Sequence, residues 1–157
     1  MEIYTDSSCR GNGQPGAIGA AAAVLKNGNG EYSTKTESLP PHPPPTKLRA
    51  EITAIILALK LALERSDELA TRPQLKVTIC SDSTYAFGCM TKWIHKWAEN
   101  GWTNAAGGDV VNRDLLEEAF DLDKRLKEVG EVEYVWSLRE KDQLADRLCN
   151  ENMEGQS

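Results

Sequence analysis

Histidine is scarce in this chain of 157 residues, which has two, and its four cysteines, Cys9, Cys80, Cys89 and Cys149, show no C-x-x-C spacing. Zinc-finger chemistry and a disulfide scaffold are both excluded by that pattern, and the cysteines are expected to be reduced thiols of an intracellular protein. Long apolar runs are also lacking. A run such as Ala20 to Leu25, which none exceeds, falls far below the roughly 20 residues needed to cross a bilayer as a helix, so no membrane segment is expected. Nor is there any excess of positive charge: 18 Lys plus Arg against 24 Asp plus Glu leave a net −6. A protein that coats nucleic acid through its basic surface is ruled out, and any contact with phosphates has to come from a local site. The first residues carry Glu2 and Asp6 and do not read as a secretory signal or an Arg-rich transit peptide.

What is present is an ordinary globular composition, 40% apolar and 27% charged. It suits one domain over residues 1–157, with 151–157 expected as a frayed tail. Residues 2–5 read as a strand that stops at Asp6, followed by a Gly-rich loop from Ser7 to Gly16. Ala17 to Lys26 and Glu31 to Glu37 read as antiparallel strands joined by an Asn27-Gly28-Asn29-Gly30 turn. The prolines from Pro40 to Pro45 make a stiff connector. Thr46 to Glu51 forms the entrance to an amphipathic helix marked by Ile52, Ile55, Ile56, Leu59 and Leu63. Leu75, Val77 and Ile79 alternate in a fourth strand ending at Ser81-Asp82-Ser83, with a helix beginning near Ser83. Leu115, Leu116, Ala119, Phe120 and Leu126 predict another helix, Val132 to Trp136 a fifth strand, and Gln143 to Met153 a last helix that contains Asp146. The fold class is therefore α/β, three antiparallel strands followed by parallel ones, flanked by helices.

In such a sheet the carboxyl ends of neighbouring strands converge, so Asp6 and Asp82 can share a site that Glu51 and Asp146 approach from helices. Unaccompanied by Cys or His, gathered carboxylates suit Mg²⁺ or Mn²⁺ rather than zinc, and two such ions can drive an in-line phosphodiester displacement. The residues alone leave Asp6 either a turn cap or a ligand.

The motifs Tyr4-Thr5-Asp6-x-Ser8-Cys9-x-Gly11-Asn12, Thr46-x-x-Arg49-Ala50-Glu51, Ser81-Asp82-Ser83-x-Tyr85, Trp93-Ile94-x-x-Trp97-x-x-Asn100-Gly101-Trp102, Val111-Asn112 and Ala145-Asp146-x-Leu148 together resemble type 1 ribonuclease H, in order and over nearly the whole chain. The resemblance implies an RNase H-like fold with a five-stranded mixed sheet, and an enzyme, a metal-dependent endonuclease, that cuts the RNA strand of RNA–DNA hybrids. It implies two Mg²⁺ ions, Mn²⁺ substituting, on Asp6, Glu51, Asp82 and Asp146. Asp6 would bridge both ions, and Glu51 would also accept from a ribose 2′-OH. It further implies RNA contacts by Cys9, Arg10 and Asn12, a DNA-phosphate pocket at Thr46 and Asn112, and packing of Trp93 on a deoxyribose. Lys47 stands where the family usually has Asn. The usual Gly-His loop is missing from the nine residues between Trp136 and Asp146, where Arg139 is expected to meet the scissile phosphate as a fixed cation, its alternative role being a surface ion pair. The segment of tryptophans lacks the lysines of a basic handle. The expected partner is an RNA–DNA hybrid bound by a monomer, and the competing reading is a non-catalytic or weakly active scaffold of the same fold.

Overall fold

The computed structural model describes residues 1–26, 30–68, 75–136 and 143–156. Alternation of apolar and polar residues, and in β2 an unbroken run of small apolar ones, gives five strands: β1 (Glu2–Arg10), β2 (Ile18–Lys26), β3 (Tyr32–Ser38), β4 (Leu75–Ser81) and β5 (Gly130–Trp136). They form one sheet in the order β3-β2-β1-β4-β5. The first three are antiparallel, and β4 lies parallel to both β1 and β5. This is the expected mixed sheet. The expected turn at Asn27-Gly28-Asn29 lies outside the described residues.

Strand β2 shows how its alanines place the layers. Ala21, Ala23 and Leu25 face one cluster, formed with helix α1 (Lys47–Glu68), whereas Ala20, Ala22 and Val24 face another, formed with Ala145, Cys149 and Met153 of helix α5 (Gln143–Gln156). Because side chains alternate along a strand and these are small, helices approach closely on both faces. Helix α1 is buried on nearly every side from Ile52 to Leu59, wedged between the sheet and helix α4 (Arg113–Val129), which presents Leu116, Ala119, Leu122 and Leu126. Such an all-round apolar helix belongs at the centre of a fold. Between β4 and α4 run helix α2 (Thr84–Gly88), one wide turn (Cys89–Trp93) and helix α3 (Ile94–Glu99).

Three expectations are corrected. Strand β1 does not stop at Asp6: it runs on to Arg10 because β2 pairs with it from Ile3↔Leu25 through Arg10↔Ile18. The helical entrance is not Thr46 to Glu51 but Thr46 alone, whose Oγ1 accepts the Arg49 N–H at 3.0 Å as an N-cap, so that α1 starts at Lys47. Nor does the chain fray from residue 151. Helix α5 continues to Gln156, with Met153 buried and the Gln156 amide donating to the Gly19 carbonyl at 2.9 Å.

Candidate active site

The parallel pairing of β1 with β4 reaches only Tyr4↔Cys80. Two residues further along β1 stands Asp6, and two further along the chain from Cys80 stands Asp82, so both carboxylates lie where the parallel pairing ends. Glu51 projects from α1 beside them. Asp6, Ser7, Lys47, Glu51 and Asp82 line a shallow cleft of about 210 Å³, and Asp146, in the first turn of α5, approaches Asp6 from the other side of the sheet.

Asp6 is the exceptional member. It is 4% exposed, and its Oδ2 is buried without a hydrogen-bond partner among the described residues. Burial first, and then a neighbouring Asp146 able to share a proton, push its carboxyl from 3.8 up to about 8; the Ser7 backbone pulls the other way, and the charge of Asp82 adds a lesser push. Cys149, buried next to them, donates its thiol to the Asp6 carbonyl at 3.3 Å and is held strongly protonated by burial and by the charges of Asp6, Asp146 and Asp82. Ionising a carboxyl buried in this way is costly, and a bound cation would offset that cost. Hard oxygen donors of this kind fit Mg²⁺ or Mn²⁺. Among the described residues no three of His, Cys, Asp and Glu converge as a ready-made metal cluster, so the fit rests on the donor chemistry and the unpartnered Asp6 oxygen.

The remaining carboxylates are held by neighbours. Glu51 Oε2 accepts from the Ser83 hydroxyl at 2.6 Å. Asp82 is tied through its backbone, its carbonyl accepting from the Trp136 indole N–H at 3.3 Å, which joins the ends of β4 and β5.

Of the expected substrate contacts, Lys47 lines the cleft. Cys9 and Arg10 end β1, and the Cys9 thiol is turned onto the Pro45 carbonyl at 3.5 Å while Arg10 is exposed. Asn12 Oδ1 accepts the Lys47 N–H at 2.8 Å, pinning the loop to the start of α1 next to Thr46. Asn112 caps α4 in the left-handed region, φ 63°. Its Oδ1 accepts from Arg49 at 3.3 Å, and its amide donates to the Tyr85 hydroxyl at 3.4 Å. Arg49 in turn forms a paired bridge to Asp114 at 2.7 and 3.0 Å. Of the handle tryptophans, Trp97 and Trp102 pack against the core, Trp102 edge-on to Phe120. Trp93 is 42% exposed, with its ring over Gly88, where an added Cβ would meet it at 2.8 Å. Arg139 lies outside the described residues. Arg49, Ser83 and Tyr85 stood inside the motifs read from the sequence but were given no role, and Trp136 was not read as a contact at all. Nothing local marks a hydroxyl of Ser83 that reaches across 32 residues to a carboxylate.

Comparison with known proteins gives one consistent set of likenesses. The family model for RNase H matches residues 1–153. A Ribonuclease H of Hydrogenovibrio crunogenus is 34% identical over 158 aligned positions, covering 98% of this chain and 95% of that protein. One of Pelobacter propionicus is 39% identical over 123 positions, covering 78% of this chain but only 65% of the relative's length. Among solved structures, LC9-RNase H1, described as a type 1 RNase H with the type 2 active-site motif, superposes with a TM-score of 0.71 at 26% identity, over 99% of this chain and 72% of that one. LC11-RNase H1, solved in complex with RNA/DNA hybrid, shares the fold at a TM-score of 0.65 and 24% identity, over 96% and 94% of the two chains.

Proposed function

The chain belongs to the RNase H family, and from that premise we propose that it is an endonuclease hydrolysing the RNA strand of RNA–DNA hybrids in the cleft lined by Asp6, Glu51 and Asp82. The enzyme class is that of its relatives, ribonuclease H. The observation that carries the assignment of the site is Asp6: a buried carboxyl, without a partner at Oδ2 among the described residues and crowded by Asp82 and Asp146, is stabilised in its ionised form by receiving a cation.

Asp6, Glu51, Asp82 and Asp146 would hold two divalent ions, Mg²⁺ with Mn²⁺ as substitute. Bound there, the ions would supply a water of lowered pKa and electrostatic stabilisation of the phosphate oxygens. The chain's own residues do the rest. Asp6 is held in place by its pairing with Ala22 of β2 and by the Cys149 thiol on its carbonyl. Glu51 accepts from a ribose 2′-OH, the group by which a protein tells RNA from DNA. Lys47, exposed on the rim of the cleft, attracts a backbone phosphate. Cys9, Arg10 and Asn12 border the RNA strand. Thr46 and Asn112, drawn together by the N-terminus of α1 and the Arg49 bridge, take a phosphate of the DNA strand, with the open face of Trp93 against its sugar. Arg139 would stabilise charge on the scissile phosphate. In this reading residues 1–157 act as one catalytic domain, as a monomer inside the cell. The free cysteines are in keeping with that, and no helix among the described residues is long and apolar enough to cross a membrane.

The test is cleavage of a labelled RNA–DNA hybrid against duplex RNA and duplex DNA, with Mg²⁺ and with chelator. Cutting of the RNA strand of the hybrid alone, abolished by chelator, is expected. Equal cutting of all three duplexes, or none of any, would overturn the reading.

A further inference from the structure

Ser83 has a single hydroxyl proton, and its surroundings dictate where that proton goes. The residue is 7% exposed. Its Oγ accepts the Ala86 N–H at 3.0 Å as the N-cap of α2, and its own backbone N–H donates to Ser81 Oγ at 3.1 Å. With the backbone held by one bond and the acceptor side of the hydroxyl by another, the O–H is aimed at Glu51 Oε2, 2.6 Å away. That separation is typical of a hydroxyl on an ionised carboxylate, which is stronger than a bond between neutral groups. Glu51 is otherwise a long, half-buried side chain with three rotatable bonds, on a different element, and a side chain of that kind has several staggered orientations open to it.

We propose that Ser83 is a positioning residue of the cleavage site. By holding Oε2 it selects one orientation of the Glu51 carboxylate and leaves Oε1 as the oxygen that meets the substrate ribose or a bound cation. The proposal rests on the hybrid-cleavage reading above and extends it to a residue outside the four carboxylates. A purely structural role as the α2 cap makes a different forecast. Loss of a cap lowers stability, whereas loss of the Glu51 bond lowers turnover in a protein that is still folded.

Two substitutions separate the roles. Glycine is a tolerable N-cap where alanine is not, so Ser83→Gly removes the proton donor while leaving α2 able to start, and Ser83→Thr keeps both hydroxyl functions. On an RNA–DNA hybrid, Ser83→Gly is expected to lose about tenfold to a hundredfold in kcat, the cost of a misplaced reacting group, with KM little changed. Ser83→Thr should recover most of that loss. Independently of cleavage, the carboxyl-carbon resonance of Glu51 in metal-free protein, followed by isotope-edited NMR, should shift in the glycine variant and return towards the wild-type position in the threonine variant. A glycine variant that is folded, turns over at the wild-type rate and leaves the Glu51 resonance unmoved overturns the role of Ser83. So does a threonine variant as impaired as the glycine one. Should the wild-type protein itself cut no hybrid, the functional reading fails first and this proposal falls with it, which is a distinct result from wild-type cleavage left undiminished by Ser83→Gly.

Discussion

Replacing Asp6 with asparagine should make the metal-free protein more stable, by an amount that depends on pH. Asp6 is 4% exposed with Oδ2 unpartnered, and its carboxyl is pushed from 3.8 up to about 8. At about 1.36 kcal/mol per unit, a displacement of roughly four units sets a ceiling near 6 kcal/mol on the cost of ionising this group in the folded state. Sharing of the proton with Asp146 and local relaxation reduce that, and the usual penalty for a buried, unsatisfied polar atom, about 1–3 kcal/mol, is the expected gain. Since the folded pKa is raised, the wild-type protein binds more protons folded than unfolded. Its stability from this group is therefore fully present below about pH 4 and is lost as pH rises through about 8. Asparagine carries no charge at any pH, so its advantage should be negligible near the acid end and complete above about pH 8, about 2–4 °C in Tm for each kcal/mol in a chain of this size. Thermal unfolding followed by circular dichroism in chelator, across that range, measures it. Millimolar Mg²⁺ should narrow the gap by binding only the wild-type folded state. Equal Tm values at high pH, or an advantage that grows towards acid, would refute the argument that Asp6 is an uncompensated buried anion.

Asp82→Asn should reduce hybrid cleavage by about 10²–10³-fold or more with the circular dichroism spectrum unchanged, and wild-type turnover in that variant would remove Asp82 from the site. Gly88→Ala places a Cβ 2.8 Å from the Trp93 ring, so the ring must swing away. Weaker hybrid binding in a protein that unfolds near the wild-type temperature is expected, and unchanged affinity would show that Trp93 does not touch substrate. The affinity for hybrid should fall with salt less steeply than about six phosphate contacts require, because Arg49 is bonded to Asp114, and Arg113 to Asp109 and Glu117. A steeper slope would reveal a basic surface elsewhere. Arg139→Ala is expected to cost about 10²–10³ in kcat while Mg²⁺ titration midpoints stay put, and full kcat would return Arg139 to a surface ion pair.

The strands and helices were legible because their signals are local. Alternation in Leu75 to Ile79 and the three-and-four spacing from Ile52 to Leu63 depend only on which side of a strand or helix a residue occupies. The alternating clusters on the two faces of β2 follow from the same rule. The four carboxylates could be named from their motifs for a similar reason, as residue types at recognisable spacings. Other features depended on partners distant in the chain. Asp6 read as the end of a strand because Gly and Pro follow soon after, yet pairing with β2 carries β1 past it to Arg10. The tail beyond residue 150 is polar enough to suggest fraying, but Met153 finds the outer face of β2, and Gln156 finds Gly19. Composition also could not say which carboxylate would be buried, because burial of Asp6 is a property of the helix and sheet packed over it. Nor could it say that the one proton of Ser83 would be spent on Glu51. Sequence by itself determined the elements and the chemical inventory of the proposed site. Only tertiary structure decided which groups meet, since a hydrogen bond or a desolvated charge depends on separations of a few ångströms between segments that the order of residues leaves free.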